Sequence, residues 1–149
     1  MLPWNDSVWV TGYPELKRFA DTDRDGIADT QRTEFRGFGV HAAFDGHDLH
    51  GLIIGPDGKL YFTCGDNGFS VTNREGRILR HPNTGGVLRM NPDGSNLEVY
   101  ATGLRNPQEI AFDDDGNCFA VDNDGDLREE RERFVHIAEG SDSGWRLNW

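Results

Sequence analysis

A chain that repeats itself at a fixed interval must stack copies of one small unit, and this sequence does so. Moving it along itself by 58 positions lays Leu52-Ile-Ile-Gly-Pro-Asp-Gly over Ile110-Ala-Phe-Asp-Asp-Asp-Gly, and carries Leu60 onto Cys118 and Tyr61 onto Phe119. Such periods mark architectures in which each unit buries its apolar face on the next. Within one period, four short runs rich in β-branched and aromatic residues predict strands at 52–55, 59–63, 86–90 and 97–101, the content of one propeller blade. Pro-Asp-Gly at 56–58 and 92–94, and Asp-Asp-Gly at 114–116, predict three hairpins. In each, an Asx hydrogen bond and a residue tolerant of positive φ close the turn.

Upstream, Ser7-Val-Trp-Val-Thr, Leu16-Lys-Arg-Phe and Thr33-Glu-Phe-Arg predict three more strands. Downstream, Glu109-Ile-Ala-Phe, Asn117-Cys-Phe-Ala-Val and Arg133-Phe-Val-His-Ile predict another three. The expectation is an all-β chain, a β-propeller fragment of about two and a half four-stranded blades, with a short complete sandwich as the competing fold. Residues 1–45 would end one blade and carry an Asp-rich loop, 46–104 would form a full blade, and 105–149 would begin the next. Gly65 to Thr84 reads as an inserted loop that lengthens the period. The charge run from Asp126 to Arg133 suits an exposed helix, but Gly125 before it and Phe134-Val-His-Ile after it favour loop and strand.

Composition narrows the function classes. With 15 basic against 26 acidic residues and a net charge of −11, the chain has no basic surface for a nucleic-acid backbone. No apolar run is long enough for a membrane-spanning helix, and Met1-Leu-Pro-Trp4 lacks the pattern of a signal peptide. Cys64 and Cys118 sit in apolar strand-like runs without metal-ligand spacing. They read as small core residues, with a disulfide between them as the alternative.

Three motifs carry chemistry. Asp21-Thr-Asp-Arg-Asp-Gly-Ile-Ala-Asp29 places the carboxylates of Asp21, Asp23, Asp25 and Asp29 around a turn glycine, a pattern of oxygen ligands suited to Ca²⁺. Arg32 stands where an EF-hand needs a bidentate glutamate, so the readings are a different calcium loop or a solvated turn. Gly46-His47-Asp48-Leu49-His50-Gly51 precedes an innermost blade strand, where loops open onto a propeller's channel. His47 there is a candidate general base or a hydrogen-bonded structural residue, and His50 is the other histidine of the loop. The 58-residue shift sets Arg105 over His47 and Asn106 over Asp48. Arg105-Asn106-Pro107-Gln108 then offers a cation and two amides to an anionic or carbonyl-rich ligand, or is a turn with a surface arginine.

These residues resemble the bacterial quinoprotein glucose/sorbosone dehydrogenases and the related propeller dehydrogenase domains of Planctomycetes and Verrucomicrobia. The likeness rests on Val8-Trp-Val with Glu15 to Asp29, His47 to Gly68, Gly85 to Phe112, and Asp122 to the closing Gly140-Ser-Asp-Ser-Gly-Trp145. Ser143 stands where the glucose dehydrogenases usually have an aromatic residue, which puts the chain nearer the propeller domains. The resemblance implies a six-bladed propeller that binds pyrroloquinoline quinone (PQQ) and Ca²⁺. It implies His47 as the base on a sugar or alcohol, Arg105 as the cation near a quinone oxygen, and Asn106 and Gln108 as cofactor contacts. Backbone carbonyls near Asp124 and Gly125 would hold the cofactor's Ca²⁺. A cytochrome c or a quinone would accept the electrons, in a periplasmic or extracellular setting. The family's later blades supply further basic residues, so this chain is expected to carry part of the site. A non-catalytic propeller module that binds a carbohydrate or a protein partner, and a calcium-stabilised structural β-domain, are the alternatives.

Overall fold

The turn chemistry closes the hairpins it predicts. In the computed structural model, which describes residues 1–40, 46–123 and 128–147, β5 (Leu49–Ile54) turns into β6 (Leu60–Cys64) through Pro56-Asp57-Gly58. Asp57 Oδ1 accepts the Lys59 amide at 3.1 Å, and Gly58 takes a φ of 76° that a side chain would oppose. The same device joins β9 (Gly85–Met90) to β10 (Glu98–Leu104), where Asp93 Oδ1 accepts the Ser95 amide at 2.8 Å and Gly94 has a φ of 89°. Between β11 (Pro107–Phe112) and β12 (Cys118–Asp122) the acceptor is Asp113, one residue ahead of the motif, whose Oδ1 takes the Asn117 amide at 2.8 Å beside Gly116 at a φ of 84°.

The strands assemble into stacked antiparallel sheets. The first has the order β1 (Leu2–Trp4), β2 (Ser7–Gly12), β3 (Glu15–Ala20), β4 (Thr30–Arg36). The middle sheet runs β5-β6-β9-β10, and the last runs β11-β12-β13, with β13 at Arg133–Ile137. The result is an all-β partial β-propeller with two four-stranded sheets, one three-stranded sheet and one two-stranded sheet among the described residues. The 58-residue period is visible in the strands, since each end of β11 and β12 lies 58 positions beyond the matching end of β5 and β6.

Two apolar layers separate the three larger sheets. Strand β6 is buried along its whole length because it is central in a sheet covered on both faces. Leu60, Phe62 and Cys64 join Trp9, Leu16 and Phe35 of the first sheet in one layer. Tyr61 enters the other, with Val87, Ile110, Cys118, Ala120 and Ile137. The edge-on packing of Tyr61 against Phe112, with ring centroids 5.0 Å apart, fixes the last sheet against the middle one.

Three features differ from the sequence expectation. Residues Gly65 to Thr84 do not form a plain loop, because they contain the hairpin β7 (Phe69–Thr72) and β8 (Ile78–His81). Alternation explains it: Phe69 and Val71 are buried in the first apolar layer, while Ser70 and Thr72 face outward. The hairpin also takes the chain leaving the first sheet, since Gly39 N donates to Gly68 O at 2.6 Å and Ser70 N to Gly37 O at 2.8 Å. Second, Leu2–Trp4 adds a fourth strand to the first sheet, a run whose Pro3 hid it from strand propensity. Third, β5 and β11 begin earlier than expected, which places His50 and Gln108 within strands. No helix occurs among the described residues, and none long and apolar enough to cross a membrane is present there.

The cysteines are reduced and lie in different layers. Burial pushes the Cys64 thiol up to about 12 and the Cys118 thiol up to about 11. Neither therefore presents thiolate near neutral pH. Both thiols are expected to resist Ellman's reagent at about pH 8 in the folded chain and to react promptly in denaturant. Mass spectrometry after alkylation checks this, and rapid native labelling of Cys64 would contradict the packing of β6.

Candidate functional site

A buried carboxylate organises the residues that sequence reasoning singled out. Asp66, which is 3% exposed, follows β6 in the turn Gly65-Asp-Asn-Gly68. Its Oδ1 lies 2.8 Å from His47 Nδ1, and its Oδ2 accepts the Trp145 indole N–H at 2.7 Å. Its backbone amide donates to Arg105 O at 2.7 Å. Three segments distant in sequence thus meet at one residue: the loop before β5, the loop before β11 and the stretch after β13.

His47 is buried, and its Nδ1 contact with a carboxylate makes Nδ1–H the favoured tautomer, with the lone pair on Nε2. An imidazole oriented this way by a carboxylate is arranged as a proton acceptor. Its backbone is held equally closely. Gly65 N donates to Asp48 O at 2.8 Å, and a Cβ on Gly65 would stand 2.6 Å from His47 O. Only glycine fits there. His50 differs from His47: it sits in β5, and its Nε2 bonds Gly46 O at 2.7 Å rather than a carboxylate.

Arg105 and Asn106 are fixed through their backbones by a second buried carboxylate. Asp122, with no exposed surface, accepts the Arg105 amide at 2.9 Å and the Asn106 amide at 2.8 Å. Arg133 Nη2 reaches the same carboxylate at 2.5 Å and balances its charge. The Arg105 guanidinium lies 5.7 Å from the centre of the Trp145 ring, so His47 is linked to Arg105 through Asp66 and Trp145. Asn106 Oδ1 is buried without a hydrogen-bond partner among the described residues. Gln108 is exposed on β11 and, with Asn106, lines a cleft of about 470 Å³ over the outer face of the last sheet. His47 and Asp66 do not border that cleft. Asp124 and Gly125 lie outside the described residues.

The Asp-rich loop joins β3 to β4 and is mostly exposed. Asp21, Asp23 and Asp29 each bring a carboxylate oxygen within 4.8 Å of the others. Asp25 stands outside this group and accepts the Ile27 amide at 2.8 Å. Asp29 Oδ2 accepts the Thr22 hydroxyl, the Thr22 amide and the Asp23 amide. These donors, the hydroxyl foremost, hold its carboxyl below the usual range.

Sequence reasoning passed over four of these residues. Asp66 and Trp145 fell inside motifs given no role for them, Asp122 lay one residue beyond a predicted strand, and Arg133 read as the start of another. The repeat could have drawn attention to Asp122, since the 58-position shift sets it over Cys64. A carboxylate replacing a core thiol at the end of a buried strand signals a buried charge with designated partners.

The fold matches a solved structure of an aldose sugar dehydrogenase from Streptomyces coelicolor in its PQQ-bound form. The TM-score is 0.61 at 23% identity, covering 96% of this chain and 48% of that one. In sequence the chain is 28% identical over 125 aligned positions to quinoprotein glucose dehydrogenase B of Acinetobacter calcoaceticus, covering 66% of this chain and 26% of that protein. It is 27% identical over 141 positions to the HIPL1 protein of Arabidopsis thaliana, covering 74% of this chain and 20% of that protein. The chain thus spans about half the length of the solved relative and about a quarter and a fifth of the two curated ones. The expected likeness to quinoprotein sugar dehydrogenases is present in both sequence and fold, and the profile that matches residues 1–141 identifies the chain as a member of the DUF7133 family, a domain of unknown function.

Proposed function

We propose that this chain supplies the general base and an electrophilic cation of a PQQ- and calcium-dependent dehydrogenase acting on a sugar or a related alcohol or aldehyde. The observation that carries the reading is His47 held on buried Asp66, beside an Arg105 that shares Trp145 with that carboxylate. Likeness to a quinoprotein glucose dehydrogenase supports the substrate class.

The donor set suits such a cofactor, because Arg105 is cationic and Asn106 Oδ1 is a buried acceptor without a partner among the described residues. PQQ bound here would supply a hydride acceptor, and Ca²⁺ would supply a Lewis acid to polarise its quinone. His47 Nε2 takes the proton from the substrate hydroxyl, and Asp66 stabilises the imidazolium that results. Arg105 faces developing negative charge, while Asn106 and Gln108 contact the ligand. Backbone carbonyls near Asp124 and Gly125 are assigned to the cofactor's calcium. A second, structural Ca²⁺ is assigned to the loop of Asp21, Asp23 and Asp29, with Asp25 shaping the turn. The electron acceptor would be a cytochrome c or a quinone, in a periplasmic or extracellular setting.

In the full-length protein loaded with PQQ and Ca²⁺, His47→Ala is expected to lower dye reduction by roughly 10²- to 10⁴-fold while retaining the fold. An unchanged rate would move the base to His50 or elsewhere. No cofactor-dependent reduction with any aldose or alcohol would sink the dehydrogenase reading and favour a binding module.

Gly65→Ala tests the base's support without removing it. The added methyl must displace the His47 backbone, so a loss of about 1–3 kcal/mol in urea unfolding is expected, together with reduced turnover.

For the loop, calorimetric titration with Ca²⁺ should give heat in the wild type, with a Kd on the order of 10⁻⁴ M or tighter. Asp23→Ala should lose that heat, and equal heats in both proteins would reduce the loop to a hydrogen-bonded turn.

A further inference from the structure

We infer that Trp145 is a positioning residue that sets His47 and Arg105 together, one through its indole N–H and the other through its ring. The inference rests on the functional reading above for the roles of those two side chains, but the geometry stands by itself. Asp66 uses both carboxylate oxygens, Oδ1 on His47 at 2.8 Å and Oδ2 on the indole at 2.7 Å. A carboxylate held at both oxygens cannot rotate without breaking one bond, so the indole fixes the plane that His47 meets. The opposite requirement, a seat for the Arg105 guanidinium 5.7 Å away, falls to the ring of the same residue.

Trp145 is itself anchored by its backbone. Its amide donates to Gly103 O at 2.9 Å, and its carbonyl accepts the Thr84 hydroxyl at 2.8 Å. The approach needs glycine at 103, since a Cβ there would stand 2.4 Å from Ser143 N. The segment after β13 therefore lies flat against the end of β10, and Trp145 reaches a carboxylate 79 residues earlier in the chain.

Trp145→Phe keeps the ring and removes the donor, whereas Trp145→Ala removes both. The first readout needs neither cofactor nor turnover. In the wild-type chain the Trp145 indole proton should be shifted downfield and protected from solvent exchange, and Asp66→Ala should abolish both properties. A wild-type indole proton that exchanges at once overturns the inference, whatever the variants do.

The second readout is the ¹⁵N pattern of the His47 imidazole. The wild type should show the Nδ1–H tautomer, and folded Trp145→Phe a mixture of the two. An unchanged tautomer in folded Trp145→Phe overturns the inference. In the loaded full-length enzyme, Trp145→Phe should lower kcat about tenfold with KM unchanged, and Trp145→Ala should fall further. A fall in KM and kcat alike with thermal stability would mark a structural role and overturn the inference. Absence of any turnover in the wild type would defeat the dehydrogenase reading while the two spectroscopic results still decide the role of Trp145.

Discussion

The site depends on a negative charge that water does not reach. Asp66 is 3% exposed, and an ionised carboxylate in such surroundings is tolerable only where donors replace its hydration. Its donors come from His47 and Trp145, and its own amide is tied to Arg105. Removing any one of these partners exposes the same desolvation cost, so the three segments are coupled through one group. That coupling, more than any single contact, makes the loops before β5 and β11 a unit.

Asp122 performs the parallel task for the next sheet, in a different way. It bonds backbone amides of Arg105 and Asn106 and leaves their side chains for other work. Arg133, which supplies its counter-charge, also donates to Ser143 O at 3.0 Å. The stretch leading to Trp145 is thereby tied to Asp122 as well as to Asp66. Two buried carboxylates, one on each side of Arg105, fix the guanidinium's backbone and its aromatic neighbour independently.

The hairpins were legible because their causes are local: each turn residue acts within two to four positions along its own backbone. The 58-residue period was legible for a related reason, since the same layer contacts recur and select the same residue types. Asp66 was not legible as an organiser, because its partners lie 19 and 79 positions away and nothing in Gly65-Asp-Asn-Gly68 distinguishes a buried carboxylate from a turn aspartate. The Asp-rich loop stands between these cases. Spacing brought Asp21, Asp23 and Asp29 together, but Asp25 is drawn to the Ile27 amide, a competition between ligand geometry and Asx turns that spacing alone does not resolve. The hairpin β7–β8 escaped notice because only its partners in the first sheet make Phe69 and Val71 a buried face.

The repeat also separates what a residue is from what its neighbours make of it. Phe119, Val121 and Phe134 hold in the last sheet the register positions that Tyr61, Thr63 and Val87 hold in the middle one. Tyr61, Thr63 and Val87 are at most 3% exposed, because the last sheet covers them. Val121 and Phe134 are 57% and 76% exposed, and Phe119 stacks on Phe134 with ring centroids 5.3 Å apart. Hydrophobic pattern therefore fixes which face of a strand is apolar, while burial follows from the presence of an adjoining sheet. Gln108 and Asn106 border this same face, so its cover, or lack of one, acts directly on two of the residues assigned to the ligand. His47 and Asp66 are instead enclosed by segments of the chain itself, and their geometry is set without reference to that face.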